Sequence, residues 1–246
     1  YKKYYNSCKY PNSPAMRDPN PVVIIYPGVG MFTFAKNKQT ARVASEFYIN
    51  AVNVMRGAEA ISSYTSLPRQ EAFDIEYWLL EEAKLQRQPK EKPLSRKVAL
   101  ITGSGGGIGR AIADKLIAEG ANVIFTDISE EYLDEAISQY SPDQAIACQC
   151  DVTNSKSIEK AIQKASIEFG GLDIVVHSAG LAISKPLDET TEANWNLLQE
   201  VLVKGQFLLS RAAAKIMRKQ NLGGNIVNIA SKNGLVSGPN NIGYGT

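Results

Sequence analysis

Histidine is all but missing from this chain: its 246 residues hold one, His177, beside three cysteines, Cys8, Cys148 and Cys150. A metal centre built from histidine or paired cysteines lacks its ligands, because no second Cys pair accompanies Cys148 and Cys150. An odd, sparse cysteine set is no disulfide framework; the three read as small buried hydrophobes in a reducing cytoplasm. Cys148 and Cys150 are two apart in an apolar-alternating stretch, so both should point to one side of a strand. Charge of one sign is also lacking, with 27 Lys and Arg against 25 Asp and Glu. That balance leaves no electrostatic footprint for nucleic acid or an anionic membrane. No apolar run approaches the roughly 18–20 residues of a membrane span. The first residues, Tyr1-Lys2-Lys3-Tyr4-Tyr5, have neither an initiator Met nor a signal-peptide core, and read as the interior of a longer protein.

What is present is ordinary globular composition, 44% hydrophobic and 21% charged. A change of pattern divides it. Residues 85–97 (LQRQPKEKPLSRK) carry two prolines among charged and amide side chains, and their centre, 89–96, reads as a linker. Before it, in 1–88, Val22 to Tyr26 is a short strand candidate ending at Pro27-Gly28-Val29-Gly30. A helix with Val43, Phe47, Ala51 and Val54 on one stripe follows and closes at Arg56-Gly57. A second helix runs over about 68–83. This α/β piece is small for an independent core.

From residue 97 the alternation becomes regular. Strands are expected at 98–102, 122–127, 145–152, 173–177 and 225–230. Between them helices are expected at 110–119, around Ile158, Ile162, Ala165 and Phe169, and over 192–218. Short apolar strands alternating with amphipathic helices predict a doubly wound α/β fold with a parallel sheet.

The turn after the first of these strands reads Thr102-Gly103-Ser104-Gly105-Gly106-Gly107-Ile108-Gly109-Arg110. Glycines between a strand and a helix suit a dinucleotide's pyrophosphate: Gly103 for the tight exit, Gly107 for close backbone approach, Gly109 for helix–sheet packing. Ser104 and Ile108 complete the candidate contact loop. No Gly-Lys-Ser/Thr follows, so it is not a P-loop. The next strand ends at Asp127, whose carboxylate is placed to accept the adenosine ribose hydroxyls. Against a 2′-phosphate that carboxylate costs roughly 4 kcal/mol at about 4 Å and an effective dielectric near 20. Ile128 and Ser129 supply no Arg to offset it, so NAD is favoured over NADP. The alternative, Asp127 as a helix N-cap, suits Ser129 better. At the ends of the third and fourth strands, Asp151-Val152 is placed to frame the adenine. There too, Ser178-Ala179-Gly180 can let the backbone pass beneath the nicotinamide ribose. His177 reads as a strand-end histidine rather than a catalyst.

With Ile226-Val227-Asn228-Ile229-Ala230-Ser231 added, and Tyr244 thirteen residues after Ser231, residues 97–246 resemble the short-chain dehydrogenase/reductase family. The resemblance implies a Rossmann-type domain in which Tyr244 exchanges a proton with the substrate oxygen and Ser231 holds that oxygen. An ordinary phenol, titrating near about 10, is a poor base. The family sets a Lys four residues after the Tyr, here two positions past Thr246. The piece is therefore expected to be inactive, cut at both ends and poorly stable by itself. Leu202 stands where the family carries an Asn, in Val201-Leu202-Val203-Lys204-Gly205, so any proton relay must differ.

Residues 18–85 resemble the carboxyl end of class II aldolases fused to such dehydrogenases, of the rhamnulose-1-phosphate aldolase/lactaldehyde dehydrogenase type. The matching motifs are Pro27-Gly28-Val29-Gly30-Met31-Phe32, Val54-Met55-Arg56-Gly57-Ala58-Glu59 and Phe73-Asp74-Ile75-Glu76-Tyr77-Trp78. That family's divalent metal would lie upstream of Tyr1, and no metal ligand is expected here. The implied activity is NAD-dependent oxidation or reduction of a small hydroxy or oxo compound in sugar metabolism, lactaldehyde being one example. The implied setting is a cytoplasmic homo-oligomer, without membrane or nucleic-acid partners. A non-catalytic dinucleotide-binding scaffold is the alternative, motivated by Leu202. A Rossmann-type methyltransferase is disfavoured, since it needs no such Ser and Tyr.

Overall fold

The computed structural model describes residues 1–236 and 238–245. The chain forms two compact units, 1–91 and 92–246.

The first unit contains α1 (Lys2–Cys8), strands β1 (Val23–Tyr26) and β2 (Gly30–Thr33), and α2 (Lys38–Ile61), α3 (Arg69–Glu76) and α4 (Leu79–Gln86). Neither α1 nor β2 was expected from periodicity, both being too short to show one. β1 and β2 pair antiparallel around the Pro27–Val29 turn, where Gly28 takes φ +78°. The helix α2 starts on Asn37, whose side chain accepts the Thr40 amide, and runs past Gly57, its expected end, to Ile61. The single helix expected over 68–83 is two, parted at Tyr77 and Trp78. Tyr77 is buried and stacked on Phe73 with ring centroids 4.5 Å apart, in a small cluster with Tyr5 and Cys8.

The second unit opens on residues held to its own body. The Leu94 amide donates to the Glu119 carbonyl at 3.0 Å, and the Lys92 ammonium to that of Ala118 at 2.8 Å. Then come β3 (Val98–Thr102), α5 (Gly107–Ala118), β4 (Asn122–Asp127), α6 (Glu130–Ile137), β5 (Ala145–Gln149), α7 (Ser155–Phe169) and β6 (Ile174–His177). α8 (Glu192–Leu198), a π-helical stretch Gln199–Lys204, α9 (Gly205–Gln220), β7 (Asn225–Asn228) and α10 (Ile242–Gly245) complete it. The five strands lie parallel in the order β5-β4-β3-β6-β7, a sheet wound outward in both directions from β3. In register, Val98 faces Asn122 on one side and Ala99 faces Ile174 on the other.

Alternation along the central strand sorts the core into two layers. Val98 and Leu100, with Ile124, Cys148 and Val175, pack under α7 and α9; Ala99 and Ile101, with Val123, Phe125 and Val176, pack under α5 and α6. Both faces of β3 are therefore buried, which is why its five residues read as one apolar run. Cys148 and Cys150 share the α7/α9 layer, and burial pushes the Cys150 thiol up to about 11, so it is a core side chain rather than a nucleophile.

Element ends follow from local hydrogen bonds. β5 stops at Gln149, short of the expected 152, because Asp151 turns the chain: its carboxylate accepts the Thr153 amide and hydroxyl at 2.9 and 2.8 Å. β7 stops at Asn228 instead of 230. α6 is capped by Ser129, the residue that suits an N-cap there, and buries Leu133 and Ala136, three residues apart. The Asn154 side chain caps α7 by accepting the Lys156 and Ser157 amides, and Gly170 ends it at φ +87°. Asn154→Ala should cost about 1 kcal/mol of stability, read by denaturant unfolding, and Asn154→Ser about nothing. No helix among the described residues is long and apolar enough to cross a membrane.

Candidate functional site

The carboxyl ends of the parallel strands converge on one edge of the sheet, where a doubly wound fold leaves a crevice. The turn from β3 to α5 lies at its centre. Gly103 sits at φ +65°, and a Cβ there would come 2.7 Å from the Ala179 Cα, so the turn lies directly against the chain leaving β6. Gly109 touches the turn from the helix side: its Cβ would fall 2.3 Å from the Gly103 carbonyl oxygen. Nothing lies within 4 Å of a Cβ at Gly107, and Ile108 is exposed at the lip. α5 has Gly106 as its N-cap and no side-chain cap. The first-turn amides of Gly107, Ile108 and Gly109 thus face the open side at the positive end of the helix dipole, which suits a diphosphate.

Ser104 departs from the role expected of it. It is fully buried; its hydroxyl accepts the Thr126 amide at 2.8 Å, and its own amide donates to the Thr126 carbonyl at 3.1 Å. The side chain fastens the turn to β4 and has no free face for a phosphate.

Asp127, the last residue of β4, joins the two expectations made for it. One carboxylate oxygen accepts the Gly105 amide at 3.2 Å, the other the Ser129 amide at 3.1 Å. The cap of α6 is nevertheless Ser129, whose hydroxyl accepts the Tyr132 amide. Each Asp127 oxygen keeps a lone pair, so the half-buried carboxylate fits a pair of ribose hydroxyls beside the glycine turn. Further out, the Asp151 amide donates to the Ser157 hydroxyl at 3.0 Å, and Val152 is buried where a Cβ on Gly205 would meet its Cγ2 at 3.0 Å. Val152 is an apolar residue where an adenine wall was expected, and Asp151 spends one carboxylate oxygen, Oδ1, on its own turn, its Oδ2 having no bond among the described residues.

The chain after β6 passes over Thr102. The Thr102 hydroxyl oxygen accepts the Ser178 and Ala179 amides at 3.2 and 3.1 Å and lies 3.2 Å from His177 Nδ1. Sequence reading saw His177 as an isolated strand end; its bond to Thr102, 75 positions earlier, appears only when β3 and β6 pair in register. Gly180 faces Leu202, whose Cδ2 would lie 3.4 Å from a Cβ there. Leu202 belongs to the π-helical stretch that interrupts the helix expected over 192–218, so an apolar side chain occupies this part of the floor.

Beyond β7, the Ile229 amide donates to the His177 carbonyl at 3.0 Å, carrying the strand direction on toward Ser231. The Ser231 hydroxyl accepts the Asn233 amide at 3.2 Å and opens a short 3₁₀ turn. Tyr244 is half-buried in α10, which rests on α8: a Cβ on Gly243 would meet Leu198 at 2.9 Å. The Lys185 amide, in the segment after β6, donates to the Asn240 carbonyl at 2.8 Å. Ser231 and Tyr244 thus both lie on the segment that follows β7, at the sheet edge that carries the glycine turn.

The family model described as short chain dehydrogenase matches residues 97–246, and that described as aldolase class II, second domain, matches residues 1–85. The latter reaches residue 1, beyond the start at 18 read from motifs. The chain is 42% identical over 228 residues to the uncharacterized oxidoreductase YuxG of Bacillus subtilis, covering 91% of this chain and 33% of that protein. It is 32% identical over 155 residues to an NAD-dependent glycerol dehydrogenase of Listeria innocua, covering 63% of this chain and 60% of that one. Among solved structures, an NAD+-bound xylitol dehydrogenase superposes with a TM-score of 0.59 at 30% identity, over 63% of this chain and 60% of that one. A short chain dehydrogenase from Mycobacterium smegmatis does so at 0.59 and 31%, over 65% and 70%. The chain thus spans a third of the Bacillus relative and about three fifths of the Listeria one.

Proposed function

The chain belongs to the short chain dehydrogenase family, and from that premise we propose that residues 97–246 bind NAD in preference to NADP and oxidise or reduce a small hydroxy or oxo compound. The observation that carries this is the Asp127 carboxylate hydrogen-bonded into the glycine turn, beside the uncapped start of α5. When bound, a nicotinamide dinucleotide supplies the two-electron redox chemistry. The chain's own residues do the rest. The amides of Gly107, Ile108 and Gly109 take the diphosphate, Asp127 the adenosine ribose, Val152 the adenine flank, and the backbone of Ser178, Ala179 and Gly180 the nicotinamide side. Tyr244 exchanges the proton at the substrate oxygen while Ser231 orients that oxygen with its hydroxyl. Leu202 against Gly180 makes the floor apolar, which suits a compact substrate with little polar surface on that side.

The aldolase-type match at residues 1–85 supports an aldol-cleaving activity elsewhere in the same protein, and a sugar-derived aldehyde such as lactaldehyde is then the natural shared compound. The named chemistry of two similar proteins, glycerol and xylitol dehydrogenases, supports a small polyol or its carbonyl partner as the substrate class. Leu202 favours a second reading, a dinucleotide-binding module without turnover; reduction of NAD in the presence of small alcohols separates the two.

Asp127→Asn tests cofactor choice. Removing the carboxylate should narrow the NAD over NADP preference by about tenfold or more, out of the roughly 4 kcal/mol that charge opposes to a 2′-phosphate. Dissociation constants for both dinucleotides, measured on the protein expressed from its complete reading frame, decide it. An unchanged ratio means Asp127 does not meet the ribose.

A further inference from the structure

The one histidine is buried with its Nε2 unpartnered among the described residues, and its Nδ1 lies 3.2 Å from the Thr102 hydroxyl. A threonine hydroxyl offers one proton and two lone pairs. Both lone pairs of Thr102 are engaged by the Ser178 and Ala179 amides. Its proton is therefore the only group left to bridge to His177, so Nδ1 is the acceptor and the ring's own proton sits on Nε2. That neutral tautomer is the only form compatible with the network. A doubly protonated ring would aim a second N–H at an oxygen with no lone pair left, and would bury a charge.

The consequence reaches the cofactor side through one peptide. The Ser178–Ala179 peptide that Thr102 holds is the one against Gly103, whose Cβ, if present, would lie 2.7 Å from Ala179 Cα and 2.9 Å from its nitrogen. Releasing this peptide lets the strand end lean on the phosphate turn. Building on the NAD reading above, we propose that His177 is a positioning residue for the dinucleotide: its neutral ring fixes the Thr102 hydroxyl, which holds the 178–179 peptide beneath the site, and acid that protonates the ring weakens cofactor binding.

Burial alone holds the ring's proton affinity below the ordinary histidine range. The neighbouring elements present uncharged residues: Thr102 from β3, Asn228 in register on β7, and Gly205, Leu208 and Leu209 among the buried residues of α9. On the same sheet edge, both Asp127 oxygens are bound to the Gly105 and Ser129 amides. The ring is therefore neutral at neutral pH, and the effect belongs to the acid side.

The test uses the protein expressed from its complete reading frame, with the His177 ring signals assigned by comparison with His177→Asn. Nitrogen NMR at about pH 8 should show the proton on Nε2 and Nδ1 bare. His177→Phe, which fills the space but accepts nothing, should weaken NAD binding about tenfold, equivalent to roughly 1.4 kcal/mol. Melting should remain close to wild type. His177→Asn, with an amide oxygen for the Thr102 proton, should bind NAD within about threefold of wild type. As the pH falls below the ordinary histidine range and the buried ring takes up its proton, wild-type affinity should fall more steeply than that of His177→Asn, which has no ring to protonate.

A proton on Nδ1, wild-type affinity in the Phe variant, or equal pH dependence in wild type and His177→Asn overturns the assignment while leaving NAD binding intact. Failure of the wild type to bind NAD at about pH 8 removes the cofactor reading and this inference together. Should the Phe variant not fold, the tautomer and the Asn comparison decide alone.

Discussion

Tyr244→Phe should lower kcat by about 10²–10⁴ while leaving NAD affinity within twofold, because the role proposed for the lost oxygen lies with the substrate rather than the dinucleotide. Interconverting an alcohol and a carbonyl moves a proton at the substrate oxygen as well as two electrons. An oxygen that must carry full charge while this happens is costly in a site walled by Leu202 and Gly180. A phenol within reach shares that proton in the transition state, so its loss appears in kcat rather than in cofactor binding. On the proposed mechanism Ser231 plays the supporting part. Its hydroxyl accepts the Asn233 amide, which leaves the proton free to donate to the same substrate oxygen. Steady-state rates with a panel of small polyols and aldehydes, alongside a dinucleotide titration, read both quantities. A Phe variant that turns over within tenfold of wild type would remove Tyr244 from the chemistry, and a large loss of NAD affinity would make it a structural residue instead.

How much of this was legible in the residues depends on the distance over which each feature is encoded. The β3 and β4 boundaries agree with the reading of the apolar runs, since both strands are buried on both faces and turns punctuate them at each end. The parallel sheet follows from the alternation of strands with amphipathic helices. Of α6 only the cap at Ser129 is legible in the residues; its eight residues are too few for periodicity to stand out. The π-helical stretch within 192–218 has no such local mark, because side-chain spacing there continues as if the helix were uninterrupted.

Pairwise features were hidden in proportion to their separation. Asp127 was seen as a ribose ligand, but its bond to the Gly105 amide, 22 positions away, needs the β3–β4 register. Ser104 was assigned to the cofactor because loop position alone says nothing of which way a side chain turns; the Thr126 backbone claims it. His177 lacked a partner in sequence because its partner is supplied by strand pairing. The glycine turn was readable as a motif, whereas what each glycine meets was not.

Those glycine environments make opposite predictions for two residues only two positions apart. A methyl group on Gly109 would lie 2.3 Å from the Gly103 carbonyl oxygen and 2.8 Å from both the Gly103 carbonyl carbon and the Ser104 Cα, all of them backbone atoms in a turn already fixed by Thr126. No rotamer relieves such a contact; α5 must move off the turn. Gly109→Ala should therefore cost about 1–3 kcal/mol, as overpacked cores do. For a unit of this size that means a fall in melting temperature of roughly 3–10 °C, together with a loss of NAD affinity as the first-turn amides shift. Gly107→Ala meets nothing within 4 Å. In a helical position alanine is the better residue by up to about 1 kcal/mol, so melting should hold or rise. Yet the same methyl group stands where the diphosphate approaches, so NAD affinity should fall. Scanning calorimetry and NAD titration on the two variants separate packing from ligand approach. A Gly109→Ala protein that melts like wild type contradicts the helix–turn contact, and a Gly107→Ala protein that binds NAD undiminished places the diphosphate elsewhere.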